Sequence, residues 1–185
     1  MKDLIADGKV LFVDLEIAYC KHAEANFDLN VIKNSDMNFA YDAMYGAGMN
    51  VVSKLLPNTT LLHCSDNPGF LGVAPEPIHR NLHEFSELMK NNNLNCGLAT
   101  DGDADRLGLY DSKGNFIDSH HIILLLIHYL VKYKRLTGKV VTTFSCSEKV
   151  KHLCKHYGLE HETVQIGFKY IAGKMKTEDI LLGGE

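Results

Sequence analysis

Apolar positions along the chain change rhythm near Met37. Before it, Leu11, Leu15, Ala18 and Tyr19 recur at roughly helical spacing, which predicts a helix over Val13–Glu24 followed by a polar connector through Ser35. After it, short apolar runs alternate with helical stripes. Asn38–Tyr41 reads as a strand that ends in Asp42 and a Gly46-Ala47-Gly48 turn. A helix then runs to about Leu56, where Pro57-Asn58 stops it. Thr59–His63 is the next strand. Pro68-Gly69, Gly72, Pro75 and Pro77 place too many breakers in the following stretch for a regular element. Leu82, Phe85, Leu88 and Met89 return to helical spacing, and strands follow at Cys96–Thr100 and Leu107–Tyr110.

The second half repeats the cycle. His120–Tyr133 has an apolar face broad enough to pack a helix on a sheet, and Lys139–Phe144 is a strand. Ser145 and Glu148 have the spacing of a capping box, so the next helix is expected to start at Ser145 and to stop at Gly158. Glu162–Ile166, Phe168–Met175 and Ile180–Leu182 complete a strand, helix and strand. Such alternation predicts an α/β fold of two consecutive αβα sandwich-type units with mixed sheets. The expected division is a helix and connector at 1–35, one unit at 36–134 and an incomplete unit at 137–185, with Gly183–Glu185 frayed.

Composition narrows the partners. Hydrophobic residues are 45% and charged residues 23%, an ordinary globular balance. A formal net charge of -4 supplies no concentrated positive field, so nucleic acid is not expected; Lys132, Lys134 and Arg135 read as a solvated helix end. Cys20, Cys64, Cys96, Cys146 and Cys154 contain no CxxC pair, which suits a reducing compartment. The apolar run Ile122–Ile127 is too short to span a bilayer, and a cytoplasmic protein without a membrane partner is expected.

The sharpest chemistry lies in Thr100-Asp101-Gly102-Asp103-Ala104-Asp105-Arg106. Three carboxylates at alternating positions repel one another unless solvent, a basic group or a cation offsets their charge. A narrow turn can aim their oxygens at one point, as a hard divalent cation such as magnesium requires. The bland alternative is an Asp/Gly-rich turn with a cap or salt bridge. An EF-hand is disfavoured because its sixth position would be Arg106 and its twelfth Ser112. Arg106 is either a partner of these carboxylates or a clamp for a phosphoryl group. His79/His83 and His152/His156 are each four apart without a placed third ligand, so zinc is not expected. Gly46-Ala47-Gly48 can cradle an anion but lacks the lysine of a nucleotide-binding loop.

Thr100–Arg106 resembles the metal-binding loop of the alpha-D-phosphohexomutases, the superfamily of phosphoglucomutase and phosphomannomutase. Asp42–Gly48 is similar to the first strand, turn and helix of their second domain, and Pro68-Gly69-Phe70, Pro75-Glu76-Pro77 and Asn81-Leu82 to the loop and helix that follow. Gly167-Phe168-Lys169-Tyr170-Ile171 resembles a third-domain motif, and Gly183-Gly184-Glu185 the opening of its sugar-recognition loop.

The resemblance implies that Asp101, Asp103 and Asp105 ligate magnesium and that Arg106 contacts a phosphoserine or the moving phosphate. It further implies that Lys169 reaches the sugar or phosphate and that Glu185 binds sugar hydroxyls. The implied parent interconverts hexose 1- and 6-phosphates through a phosphoserine enzyme and a sugar bisphosphate, which also serves as activator. Its remaining domains on the same polypeptide would be this segment's partners. Phe168-Lys169 is closer to the phosphoglucomutase and phosphomannomutase branches than to the phosphoglucosamine branch. No Thr-Ala/Ser-Ser-His-Asn-Pro-like serine loop occurs in the sequence, nor do the Ser and His that usually follow Gly-Glu. A segment inactive by itself is therefore expected. The competing readings are a noncatalytic metal- or sugar-phosphate-binding module, a pentose-phosphate mutase and a structural domain with an incidental acidic turn.

Overall fold

The computed structural model describes residues 2–185. It falls into two compact units, the first ending at Asn115 and the second spanning Phe116–Glu185. The first opens with helices α1 (Lys2–Ala6), α2 (Leu15–Asn26) and α3 (Leu29–Lys33). Asp14 caps α2 by accepting the Ile17 amide at 2.9 Å. The apolar stripe that marks this helix is not covered: Leu11, Leu15 and Tyr19 are exposed, and Cys20 is the buried residue. Periodicity marks a face, but only a neighbouring element can cover it. Here α4 (Val51–Leu55) lies against α2, with Glu16 paired to Lys54.

Strands β1 (Phe39–Asp42), β2 (Thr60–Leu62), β3 (Cys96–Thr100) and β4 (Leu107–Asp111) give this unit a mixed sheet in the order β2-β1-β3-β4, and the short strand β5 (Phe116–Ile117) opens the second unit. β1 pairs in parallel with both β2 and β3, whereas β3 and β4 are antiparallel, with Thr100 opposite Leu107. Helix α5 (His83–Asn91) covers β3 and β4 with Phe85 and Met89, both fully buried. The Phe85 ring meets Tyr110 edge-on at 5.4 Å, and each fully buried apolar side chain of this size contributes roughly 1.5–3 kcal/mol. Gly97 lies beneath α5 because a Cβ there would come within 2.8 Å of both Met89 Sδ and Phe85 Cζ.

In the second unit α6 (Ser119–Lys132), β6 (Lys139–Thr143), α7 (Glu148–Tyr157), β7 (His161–Val164), α8 (Phe168–Met175) and β8 (Ile180–Gly184) build a parallel sheet in the order β7-β6-β8. Ile123, Ile127, Val140, Val150, Cys154 and Leu182 form its core. The division expected at 134–137 assigns α6 to the first unit; its packing is on α7 and β8. Two local expectations are corrected. Gly183 and Gly184 are not frayed, since they pair with Val141 and Thr142. Ser147 rather than Ser145 caps α7, accepting the Lys149 amide at 3.3 Å, while the Ser145 hydroxyl bonds Thr143 Oγ1 at 2.8 Å. Both serines offer the same hydroxyl, and the helix begins one residue after Ser147. Among the described residues no helix is long and apolar enough to cross a membrane.

Candidate metal centre

The acidic loop joins two neighbouring antiparallel strands, so its ends are fixed at Thr100 and Leu107 by the β3–β4 ladder. The Asp101 carbonyl accepts the Ala104 amide at 3.2 Å, and the Asp101 amide donates to Arg106 O at 3.3 Å. Ala104 takes a left-handed conformation at φ 62, which a small side chain tolerates better than a branched one. This tight course brings carboxylate oxygens of Asp101, Asp103 and Asp105 within 4.8 Å of one another. Asp101 is buried at 1% exposure, whereas Asp103 and Asp105 face solvent.

Arg106, itself exposed, organises the loop through the buried Asp101. Its amide donates to Asp101 Oδ1 at 2.9 Å and its Nε to Asp101 Oδ2 at 2.7 Å. Its Nη1 approaches Glu76 Oε1 at 3.8 Å. Burial opposes ionisation of Asp101, but the Arg106 amide, guanidinium and charge together hold its carboxyl below the ordinary range. Asp105 moves the other way: the neighbouring charges of Asp103 and Asp101 push its carboxyl up. The loop thus contains one anion secured by Arg106 and another whose charge is disfavoured by its neighbours. A divalent cation relieves that repulsion, and an all-carboxylate oxygen set suits magnesium or another hard ion. Each Asp101 oxygen that accepts from Arg106 keeps a further lone pair for such an ion.

Two segments support the loop from behind. The Gly102 amide donates to Pro75 O at 3.2 Å, and Gly102 O accepts the Ala47 amide at 2.9 Å. The Ala47 amide of the Gly46–Gly48 turn is thus engaged by the acidic loop. Thr100 Oγ1 bonds the buried Tyr41 hydroxyl at 2.7 Å. In the second unit Lys169 is exposed at the start of α8, its Nζ 5.0 Å from the Tyr170 ring centre. Glu185 Oε2 accepts the Gly167 amide at 2.9 Å, which joins the two motifs of that unit. His79, one of the spaced histidines, bonds the Tyr110 hydroxyl at 2.9 Å. Sequence reading missed Glu76 beside Arg106 and the half-buried Asp42–His63 pair, 3.0 Å apart. Only the rigid Pro75-Glu76-Pro77 setting pointed towards the first.

Residues 17–114 match the family description "Phosphoglucomutase/phosphomannomutase, alpha/beta/alpha domain II", and residues 118–185 match domain III of the same family. The chain belongs to the phosphoglucomutase/phosphomannomutase family. Among its relatives, a phosphoglucosamine mutase of Methanococcus maripaludis is 28% identical across 89% of this chain and 39% of its own length. A phosphoglucomutase of Aspergillus oryzae is 26% identical across 99% of this chain and 37% of its own. A crystal structure from Thermus thermophilus, described as a phosphomannomutase, superposes with a TM-score of 0.81 at 28% identity, covering 94% of this chain and 41% of that one. The chain therefore spans well under half the length of these family members.

Proposed function

We propose that this chain is the magnesium-binding and sugar-contacting part of a phosphohexomutase, which interconverts hexose 1- and 6-phosphates through a phosphoserine and a sugar bisphosphate. The observation that carries this reading is the convergence of the Asp101, Asp103 and Asp105 carboxylates beside Arg106. Family membership supplies the reaction class, and relatives with both glucosamine and glucose in their names support a phosphohexose substrate without choosing between them.

In this reading Asp101, Asp103 and Asp105 hold magnesium, which neutralises phosphoryl oxygens and helps align the transfer. Arg106 keeps Asp101 ionised and oriented, and the ends of its guanidinium remain available to a phosphate. Lys169 supplies a positive charge to a sugar phosphate. Glu185, oriented by the Gly167 amide, accepts hydrogen bonds from sugar hydroxyls. A sugar bisphosphate activator, the remaining domains of the same polypeptide and a cytoplasmic location belong to the same reading.

Asp103 offers the cleaner test of the metal site, because Asp101 also secures the Arg106 backbone. Calorimetric titration with magnesium or manganese should detect millimolar or tighter binding that Asp103→Ala weakens by at least about tenfold. Equal heats from both proteins, or no heat from the native sequence at millimolar metal, would remove the site.

A further inference from the structure

Behind the acidic loop, the carboxyl ends of β1 and β2 leave the sheet through unusual backbone. Met44, Tyr45 and His63 have φ values of 46, 60 and 48, a left-handed region that large L-residues seldom adopt. Asp42, at 1% exposure, is the group around which they gather. Its Oδ1 accepts the Met44 amide at 2.8 Å. His63 Nδ1 stands 3.0 Å from Asp42 Oδ1 and 3.1 Å from Oδ2. The Tyr45 amide donates to His63 O at 2.9 Å, and the Tyr45 ring lies 4.7 Å from the imidazole. On the far side His63 Nε2 faces Glu84 Oε2 of α5 at 3.3 Å.

The other end of this turn meets the acidic loop. Ala47 donates to Gly102 O, and a Cβ on Gly46 would stand 2.6 Å from Asp101 O. We infer that Asp42 and His63 are positioning residues for the acidic loop: they lock the left-handed Met44–Tyr45 turn that seats Gly46 and Ala47 against the backbone of Asp101 and Gly102. Neither side chain touches a candidate ligand; both act through the turn. The inference rests on the reading of Asp101, Asp103 and Asp105 as a cation site. Burial pushes the Asp42 carboxyl up despite the opposing Met44 amide and His63, so ionising this acid is a cost to the fold. The geometry it imposes is the contribution that offsets that cost.

A merely structural role would lower global stability and leave the loop unchanged in the folded protein. The test therefore uses Asp42→Ala in the 185-residue chain, with amide hydrogen exchange at Ala47 and Mn2+ affinity by electron paramagnetic resonance, both well below the unfolding temperature. Asp42→Leu replaces it if the alanine variant does not fold, because Leu nearly fills the volume of the carboxylate but cannot accept from the Met44 amide or pair with His63. Faster exchange at Ala47, unchanged exchange at Val141 in β6 and Mn2+ affinity weakened about 10–100-fold are expected. His63→Asn, which keeps a donor near Nδ1 and tolerates positive φ, should remain within about threefold of the native affinity. A folded Asp42 variant with native Ala47 exchange would overturn the inference. Failure of the native chain to bind Mn2+ would instead remove the metal reading, and the exchange arm would still decide whether Asp42 positions the loop.

Discussion

Replacing Gly46 by alanine tests the junction of turn and acidic loop with a single methyl group. The added Cβ would lie 2.6 Å from Asp101 O, 2.8 Å from Gly102 O and 2.9 Å from Gly102 Cα. All three are backbone atoms, so no flexible side-chain end can swing aside. Inserting a methyl into such a contact typically costs about 1–3 kcal/mol. That strain has two outlets. If the loop holds its place, unfolding in urea should show the loss directly. If the loop moves, Asp101 moves with it, and the same free energy appears as roughly 5–150-fold weaker metal binding. Urea unfolding and Mn2+ titration of the same preparations measure both. The sum of the two losses should reach at least about 1 kcal/mol. A Gly46→Ala protein with native unfolding midpoint and native Mn2+ affinity would refute the close packing of this junction.

Two other outcomes are expected. Lys174 and Lys139 hydrogen-bond Glu162 and Glu178, and hold both carboxyls below their ordinary 4.5. Their stabilisation is present above that value and disappears as pH falls through the depressed folded values; thermal melts should show this loss, with a shallower acid dependence in Lys139→Met, and identical profiles would discount the network. The 185-residue chain should show no turnover of glucose 1-phosphate or mannose 1-phosphate in a coupled assay with magnesium and a sugar bisphosphate, because its sequence lacks the donor serine loop. Turnover that survives removal of host mutase and is lost in Asp103→Ala would place the nucleophile within this chain.

The acidic loop was legible because it is contiguous: Asp101 through Arg106 carry both the candidate ligands and their basic partner, and their strands are marked by flanking apolar runs. Strand and helix order was legible for the same local reason. The Asp42–His63 contact was not, since it depends on the parallel register of β1 with β2, which no spacing along the chain reveals. Nor could periodicity distinguish the exposed Leu15–Tyr19 stripe from a buried one. The place of α6 is similar. Its apolar side chains announce burial, but their partners Val150, Cys154 and Leu182 come later in the sequence.

The β3–β4 connection also bears on the order of folding. These strands are sequence neighbours, so closing the acidic hairpin costs little chain entropy, and hairpins of this kind form in about 1–10 μs. β1 and β3 must instead find each other across the whole helical crossover, with Phe39 opposite Cys96. Parallel pairing of such distant segments is intrinsically slower. The three carboxylates are thus gathered early by a local event, but the turn that shapes them arrives only with long-range pairing. A divalent cation present during refolding should leave hairpin closure unaltered and slow unfolding instead, because the complete binding geometry belongs to the finished sheet.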